Sequence, residues 1–280
     1  MKTLKIILVI TLALISLNGC ASSKNSTDLS MDITKHIPII EAKINGKGPF
    51  RFAFDTGFSG KVEITTTLAK QLEMPVNGEI KVGDPSGRNP QTVRTYTANS
   101  FDIGSEHFKD VSISESNRSN PGNTDGVIGL SLFQGMLVKL DYVNSKFTVT
   151  NGSLSQKKSL AYSNEHGVPC ITIDVNGINM QVDIDSGGPA EVQLPLSTSD
   201  SLPLTSKIQK TGKGMTADGE FDIYSSVLNG KVYVGNILLT NPKIDFNSVF
   251  PNGSLGYEFL KNLIITFDTG NKRVQFEKNL

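Results

Sequence analysis

The chain has 280 residues, enough for one large domain or two small ones, and its 27 Lys plus Arg balance 27 Asp plus Glu. That balance removes any electrostatic case for nucleic acid as a partner. Tryptophan is absent, Asn, Ser, Thr and Gly are common, and Val/Ile runs alternate with polar residues, a texture that predicts an all-β protein with many turns.

The N-terminal segment reads as a leader rather than as part of the fold. Met1–Lys5 is basic and Ile6–Leu17 is apolar, too short to span a bilayer comfortably but suited to the core of a signal peptide over residues 1–19. The junction Leu17-Asn18-Gly19-Cys20 resembles the bacterial lipobox. That resemblance implies that Cys20 carries diacylglycerol and ties the protein to a membrane of the bacterial cell envelope. Because Ala21, not Asp, follows the cysteine, it implies the periplasmic face of an outer membrane where the host has one, and otherwise the outer face of the plasma membrane. Residues 20–30 are Ser/Asn-rich and read as a flexible tether. With Cys20 lipidated, only Cys170 is left, so no intramolecular disulfide is available. Cys170 lies in V-P-C-I-T-I-D-V and reads as a small buried hydrophobe rather than a reactive thiol.

From residue 31 the chain is written twice. Ile37–Gly46 matches Val168–Gly177, each a strand of alternating pattern closed by Asn-Gly, a strong hairpin signal. The predicted return strands, Pro49–Phe54 and Met180–Ile184, deliver the chain to Asp55 and Asp185. A brief helix is predicted over Thr65–Leu72, stopped by Met74-Pro75. Further on, Ser100–Gly104 matches Lys231–Gly235, and Asp125–Leu132 matches Asn252–Phe259. Leu137–Asp141 with Lys146–Val149 then matches Ile264–Asp268 with Arg273–Phe276. Repetition in the same order predicts a duplicated domain: lobes over 31–155 and 160–280, joined by a linker at 151–158 and related by a pseudo-twofold axis within one monomer.

Asp-[Thr/Ser]-Gly occurs three times, at 55–57, 185–187 and 268–270. The first two occupy equivalent places in the repeat. The third aligns with Asp141-Tyr142-Val143 and reads as a hairpin turn in which Asp and Gly serve geometry. A duplicated aspartate has a chemical use. Two carboxylates held together cannot both ionise, so they share a proton; one then acts as base toward water and the other as acid.

Each lobe also carries an apolar-apolar-Gly element after its triplet, Val127-Ile128-Gly129 and the less apolar Ser254-Leu255-Gly256. Together these motifs resemble the aspartic proteases of the pepsin and retropepsin group, over nearly all of the chain after the tether. The resemblance implies two acid-protease lobes, a polypeptide substrate, no cofactor and no metal. It assigns catalysis to Asp55 and Asp185, and support of the two loops to Thr56, Gly57, Ser186 and Gly187. It also implies substrate-covering flaps around Gly83 and Gly87 in lobe one and Gly212 and Gly214 in lobe two; plain surface hairpins are the other reading of those segments. The chain departs from the pattern at the third position after each aspartate. A small residue is usual there, but this chain has Phe58 and Gly188. Two functions therefore stay open: an aspartic endopeptidase, or a catalytically degenerate two-lobed lipoprotein that binds peptide or another ligand.

Overall fold

Asn45-Gly46 and Asn176-Gly177 all take positive φ, the left-handed backbone that a two-residue hairpin turn requires. The flanking strands pair in the register that such turns impose, Ile44 opposite Lys47 and Val175 opposite Ile178. The computed structural model describes residues 26–84, 89–116, 121–164, 166–216 and 218–278. The leader over 1–19, Cys20 and Gly87 lie outside them.

In the first lobe the described elements run β1 (Ser26–Ser30), β2 (Ile39–Ile44), β3 (Lys47–Asp55), β4 (Val62–Thr65), α1 (Thr66–Leu72), β5 (Gly78–Val82), β6 (Gln91–Ile103), β7 (Glu106–Ser116), β8 (Gly126–Gly129), β9 (Leu137–Asp141) and β10 (Lys146–Thr150). The second half continues with β11 (Leu160–Ala161), β12 (Cys170–Val175), β13 (Ile178–Ile184), β14 (Val192–Pro195), β15 (Gln209–Thr216) and β16 (Gly219–Val227). It closes with β17 (Lys231–Val234), β18 (Ile237–Thr240), β19 (Lys243–Asn247), β20 (Gly253–Leu255), α2 (Tyr257–Leu260), β21 (Leu263–Asp268) and β22 (Arg273–Lys278). The protein is all-β with two similar lobes and short helices, as its texture predicts. The predicted helix is α1: the Thr65 hydroxyl accepts from the Leu68 N–H at 3.1 Å, and Glu73 ends the helix in the left-handed region ahead of Pro75.

Lobe one is a seven-stranded sheet, β2-β3-β8-β4-β7-β6-β5, and lobe two a nine-stranded sheet, β15-β16-β19-β14-β20-β13-β12-β17-β18. Both contain the same local departure from a simple meander. A late strand inserts parallel to the one that ends in the aspartate and antiparallel to the next, β8 between β3 and β4, and β20 between β13 and β14. This insertion brings Gly129 and Gly256 behind the two aspartate loops.

A third sheet, β1-β10-β9-β21-β22-β11, is shared by the lobes. Its central strands are counterparts in the sequence repeat, and they pair antiparallel with Leu137 opposite Asp268 and Asp141 opposite Ile264. Two equivalent strands paired this way are related by a twofold axis through their midpoint. Under lobe one's aspartate, Phe54 packs edge-on against Phe133 and Phe147 at 5.8 and 5.0 Å, which fixes β3 to the shared sheet. One expectation is corrected here. The tether predicted to reach residue 30 ends earlier, because Ser26–Ser30 form β1 and pair with β10. Thr27 is buried, with its hydroxyl hydrogen-bonded to Ser105, and Asp28 pairs with Lys146. Alternation of Thr27 and Leu29 against the sheet outweighs the polar composition of that segment.

Candidate active site

In β3 the side chains of Phe52 and Phe54 enter the core, and in β13 those of Val182 and Ile184 do so. Each strand then runs out into its Asp-[Thr/Ser]-Gly loop, and the two loops meet on the axis. Thr56 and Ser186 are fully buried, and the four hydrogen bonds that they make across the two loops tie the lobes together. The Thr56 N–H donates to Ser186 Oγ and the Ser186 N–H to Thr56 Oγ1, both at 2.9 Å. The Thr56 hydroxyl donates to the Ile184 carbonyl at 2.5 Å, and the Ser186 hydroxyl to the Phe54 carbonyl at 2.9 Å. The N–H and hydroxyl of each residue are thus answered from the opposite loop, which makes the junction rigid.

That junction sets the carboxyls side by side. Within each loop the glycine N–H holds its own aspartate, Gly57 to Asp55 Oδ1 at 2.8 Å and Gly187 to Asp185 Oδ1 at 3.0 Å. Each glycine also lies against the opposite lobe's carboxyl. A Cβ at Gly57 would stand 2.5 Å from Asp185 Oδ1, and one at Gly187 would stand 2.5 Å from Asp55 Cγ. No residue with a side chain fits at either place. The two carboxyls hydrogen-bond to each other. Burial raises both above the ordinary aspartate value, and Asp185 is pushed up furthest because the charge of Asp55 adds to its burial. Burial and mutual repulsion therefore favour a protonated carboxyl in the pair above the usual carboxylate range.

Behind the loops the second motif finds its reason. A Cβ at Gly129 would lie 2.1 Å from the Gly60 carbonyl, and one at Gly256 would lie 2.5 Å from the Gly188 carbonyl. The structure brings Asp55, Thr56, Gly57, Asp185, Ser186 and Gly187 together in one place. Phe58 and Gly188, where the family pattern has a small residue, contribute main chain instead: their N–H groups donate to the main-chain carbonyls of Asp55 and Asp185, both at 3.2 Å.

The third triplet lies in the β21–β22 turn, away from this site. Asp268, 1% exposed, accepts from the N–H and Nδ2 of Asn271, both at 2.9 Å. Asp141 does the same with Asn144 at 2.9 and 2.8 Å. The operative pattern is thus Asp-x-x-Asn, an Asx-capped turn repeated in both lobes.

The flap segments are hairpins, β5–β6 and β15–β16, with Gly83 just after β5 and Gly212 and Gly214 within β15. The described residues that flank their tips touch across the lobes. The Thr216 hydroxyl donates to Asp84, the Asn89 N–H donates to Asp218 Oδ2 at 3.2 Å, and Gly83 packs on the Asp218 carboxylate.

Sequence reasoning missed two groups near the dyad. Tyr142, the counterpart of Thr269, is buried, with its ring edge-on to Tyr257 at 6.1 Å; Tyr257 in turn stacks on His36 at 4.7 Å. Burial and the charges of Asp185 and Asp55 hold the Tyr142 hydroxyl neutral. Cys170 is buried as expected, yet its neighbours are polar: Gln181, Asn252 and Asp183. The Asp183 signal was available in the alternation V-D-I-D, which sets it on the face of Asp185.

No curated protein matches this chain. Residues 40–132 match the family model described as aspartyl protease, a span that holds the Asp55 loop, α1, the first hairpin and Val127–Gly129. The first lobe is therefore similar to the aspartyl proteases over about a third of the chain, and the second lobe repeats its motifs.

Proposed function

We propose that the protein is an aspartic endopeptidase that hydrolyses peptide bonds with a water activated by Asp55 and Asp185. The observation that carries this reading is the contact of two half-buried carboxyls, one from each lobe, within hydrogen-bonding reach of each other. Asp55, ionised, accepts a proton from the attacking water while Asp185, protonated, donates to the scissile carbonyl. Collapse of the resulting tetrahedral diol moves a proton to the departing nitrogen, and the pair ends with the one proton it began with. Thr56 and Ser186 hold the carboxyls in register through this cycle. The two hairpins, joined through Asp84, Asn89, Thr216 and Asp218, act as flaps over an extended polypeptide.

The substrate is met at a membrane surface of the bacterial envelope. The basic start, the short apolar run and the Gly19-Cys20 junction support a leader removed before a lipidated Cys20. Residues 21–25 then remain as the tether before β1.

The test is cleavage of a peptide library across about pH 3–8, the window in which such a pair titrates, by the native chain, Asp55→Asn and Asp185→Asn. Each substitution is expected to lower the rate by at least about 10²–10⁴-fold. Peptide binding without cleavage by the native chain at every pH would favour the degenerate binder instead.

A further inference from the structure

The cross-strand register gives the two lobes matching patches beside the dyad. In lobe one, Ile39 faces Ala53 across the β2–β3 ladder, and Ala53 faces Val127 across β3–β8. In lobe two, the same ladders set Cys170 opposite Asp183 and Asp183 opposite Ser254. Residues 53 and 183 each precede an aspartate by two, so strand alternation turns them to the same face as Asp55 and Asp185. Equivalent placement makes the difference in chemistry informative.

The lobe-one patch is apolar. Ile37, Ile39, Ala53 and Val127 form a cluster of their own, separate from the main core, and the ring of Phe58 lies against it. Phe58 thereby gains a role that its place in the loop motif did not suggest: it covers the patch.

The lobe-two patch is polar and uncovered. Asp183 is half-buried, receives the Asn252 amide at 3.3 Å and is hydrogen-bonded by the Cys170 thiol. Burial pushes its carboxyl up, with these two bonds and the field of exposed His166 opposing. The position equivalent to Phe58 is Gly188, which has no freedom to be anything else, because a Cβ there would stand 2.5 Å from Asp185 Oδ2. The carboxylate is therefore left accessible, with only neutral groups bonded to it.

We propose that these patches are unlike substrate-recognition surfaces on either side of the dyad. On the lobe-one side the half-buried Phe58 ring that covers the patch meets an apolar side chain, and Asp183 receives a cationic one, lysine or arginine, from a residue near the scissile bond. A half-buried carboxylate beside neutral donors gains a charge-assisted partner when a cation enters, and rejects an anion by like-charge repulsion. The inference rests on the proposed peptidase reading, and it names the substrate class that this reading leaves open.

The experiment uses the full-length protein and peptides that differ at one position flanking the cleaved bond, carrying Lys, Gln or Glu. For the native chain, kcat/KM is expected to favour Lys over Gln by about 10–100-fold, the range of one charge-assisted hydrogen bond, and Glu is expected to be poorest. Asp183→Asn should bring the Lys/Gln ratio close to one. So should Asp183→Ala, which installs the residue that lobe one carries at the same place. A native ratio near one at every flanking position, or a preference for Lys that survives in both variants, would overturn the inference. Peptide binding to Asp55→Asn, read by fluorescence polarisation, separates this claim from the peptidase claim. Tighter binding of Lys peptides without cleavage by the native chain supports the recognition surface alone, and equal binding of Lys, Gln and Glu peptides contradicts it.

Discussion

At the scale of single residues, the molecule depends most on Thr56 and Ser186, small polar side chains that most buried sites would not tolerate. Replacing Thr56 by Val keeps the shape but deletes one hydroxyl that donates to the Ile184 carbonyl and accepts from the Ser186 N–H. Both partners are then buried without a substitute, and the expected loss is about 2–4 kcal/mol of unfolding free energy. Chemical denaturation of the two proteins measures it; an unchanged midpoint would mean that the loops are not joined by these bonds. The residue scale is also where reading the chain alone was least complete. Asp55 and Asp268 sit in identical Asp-Thr-Gly triplets, and only the repeat separates them. The reason is plain in the structure: Asp268 belongs to an Asp-x-x-Asn cap shared with Asp141, and the cap residue that decides the matter is Asn271, outside the triplet. The polar surroundings of Asp183 were harder still, since Asn252, which hydrogen-bonds to it, lies 69 residues away in the sequence.

At the scale of elements, period-2 alternation and Asn-Gly turns made both β-hairpins legible, and Thr65 with Met74-Pro75 bounded α1 closely. The insertion of β8 and β20 was legible only as a consequence of the glycines at 129 and 256, whose purpose is close backbone approach. The N-terminal strand was hidden by composition, because Ser26–Ser30 offers two apolar-facing positions and no apolar run. It makes a definite prediction. A chain that starts at residue 26 keeps the ladder from Ser26–Thr150 to Ser30–Lys146, together with the Asp28–Lys146 ion pair and the Asp28–Thr148 hydrogen bond. A chain that starts at residue 31 loses them and should be less stable by about 2–4 kcal/mol, a few net hydrogen bonds' worth. Urea unfolding of the two chains decides it, and equal stability would make β1 a passive edge.

At the scale of the whole molecule, two lobes built by repetition meet, among the described residues, at the shared sheet, the aspartate loops, the ends of the two hairpins and the His36–Tyr257 stack. The first two fix the dyad, because the pairing of β9 with β21 sets the axis on which the loops close. The axis is not carried through to chemistry. Phe58 opposes Gly188, Ala53 opposes Asp183, and Tyr142 opposes Thr269, so the two sides of one cleft differ. The raised proton affinity of the pair also has a consequence for stability. The folded chain keeps a proton that the unfolded chain releases near the ordinary aspartate value of 3.8. Stability from this pair therefore falls as pH rises from that value through the raised one.

The central claim is that Asp55 and Asp185 act as one proton-sharing pair. It is tested most directly by carbon-13 NMR of aspartate-labelled protein, following the two side-chain carboxyls through a pH titration. The account predicts one carboxyl that stays protonated well above the usual aspartate range, and a lower apparent pKa for Asp185 once Asp55→Asn removes the neighbouring charge. Two carboxyls that both titrate near the ordinary aspartate value, with Asp185 indifferent to the loss of Asp55, would contradict it.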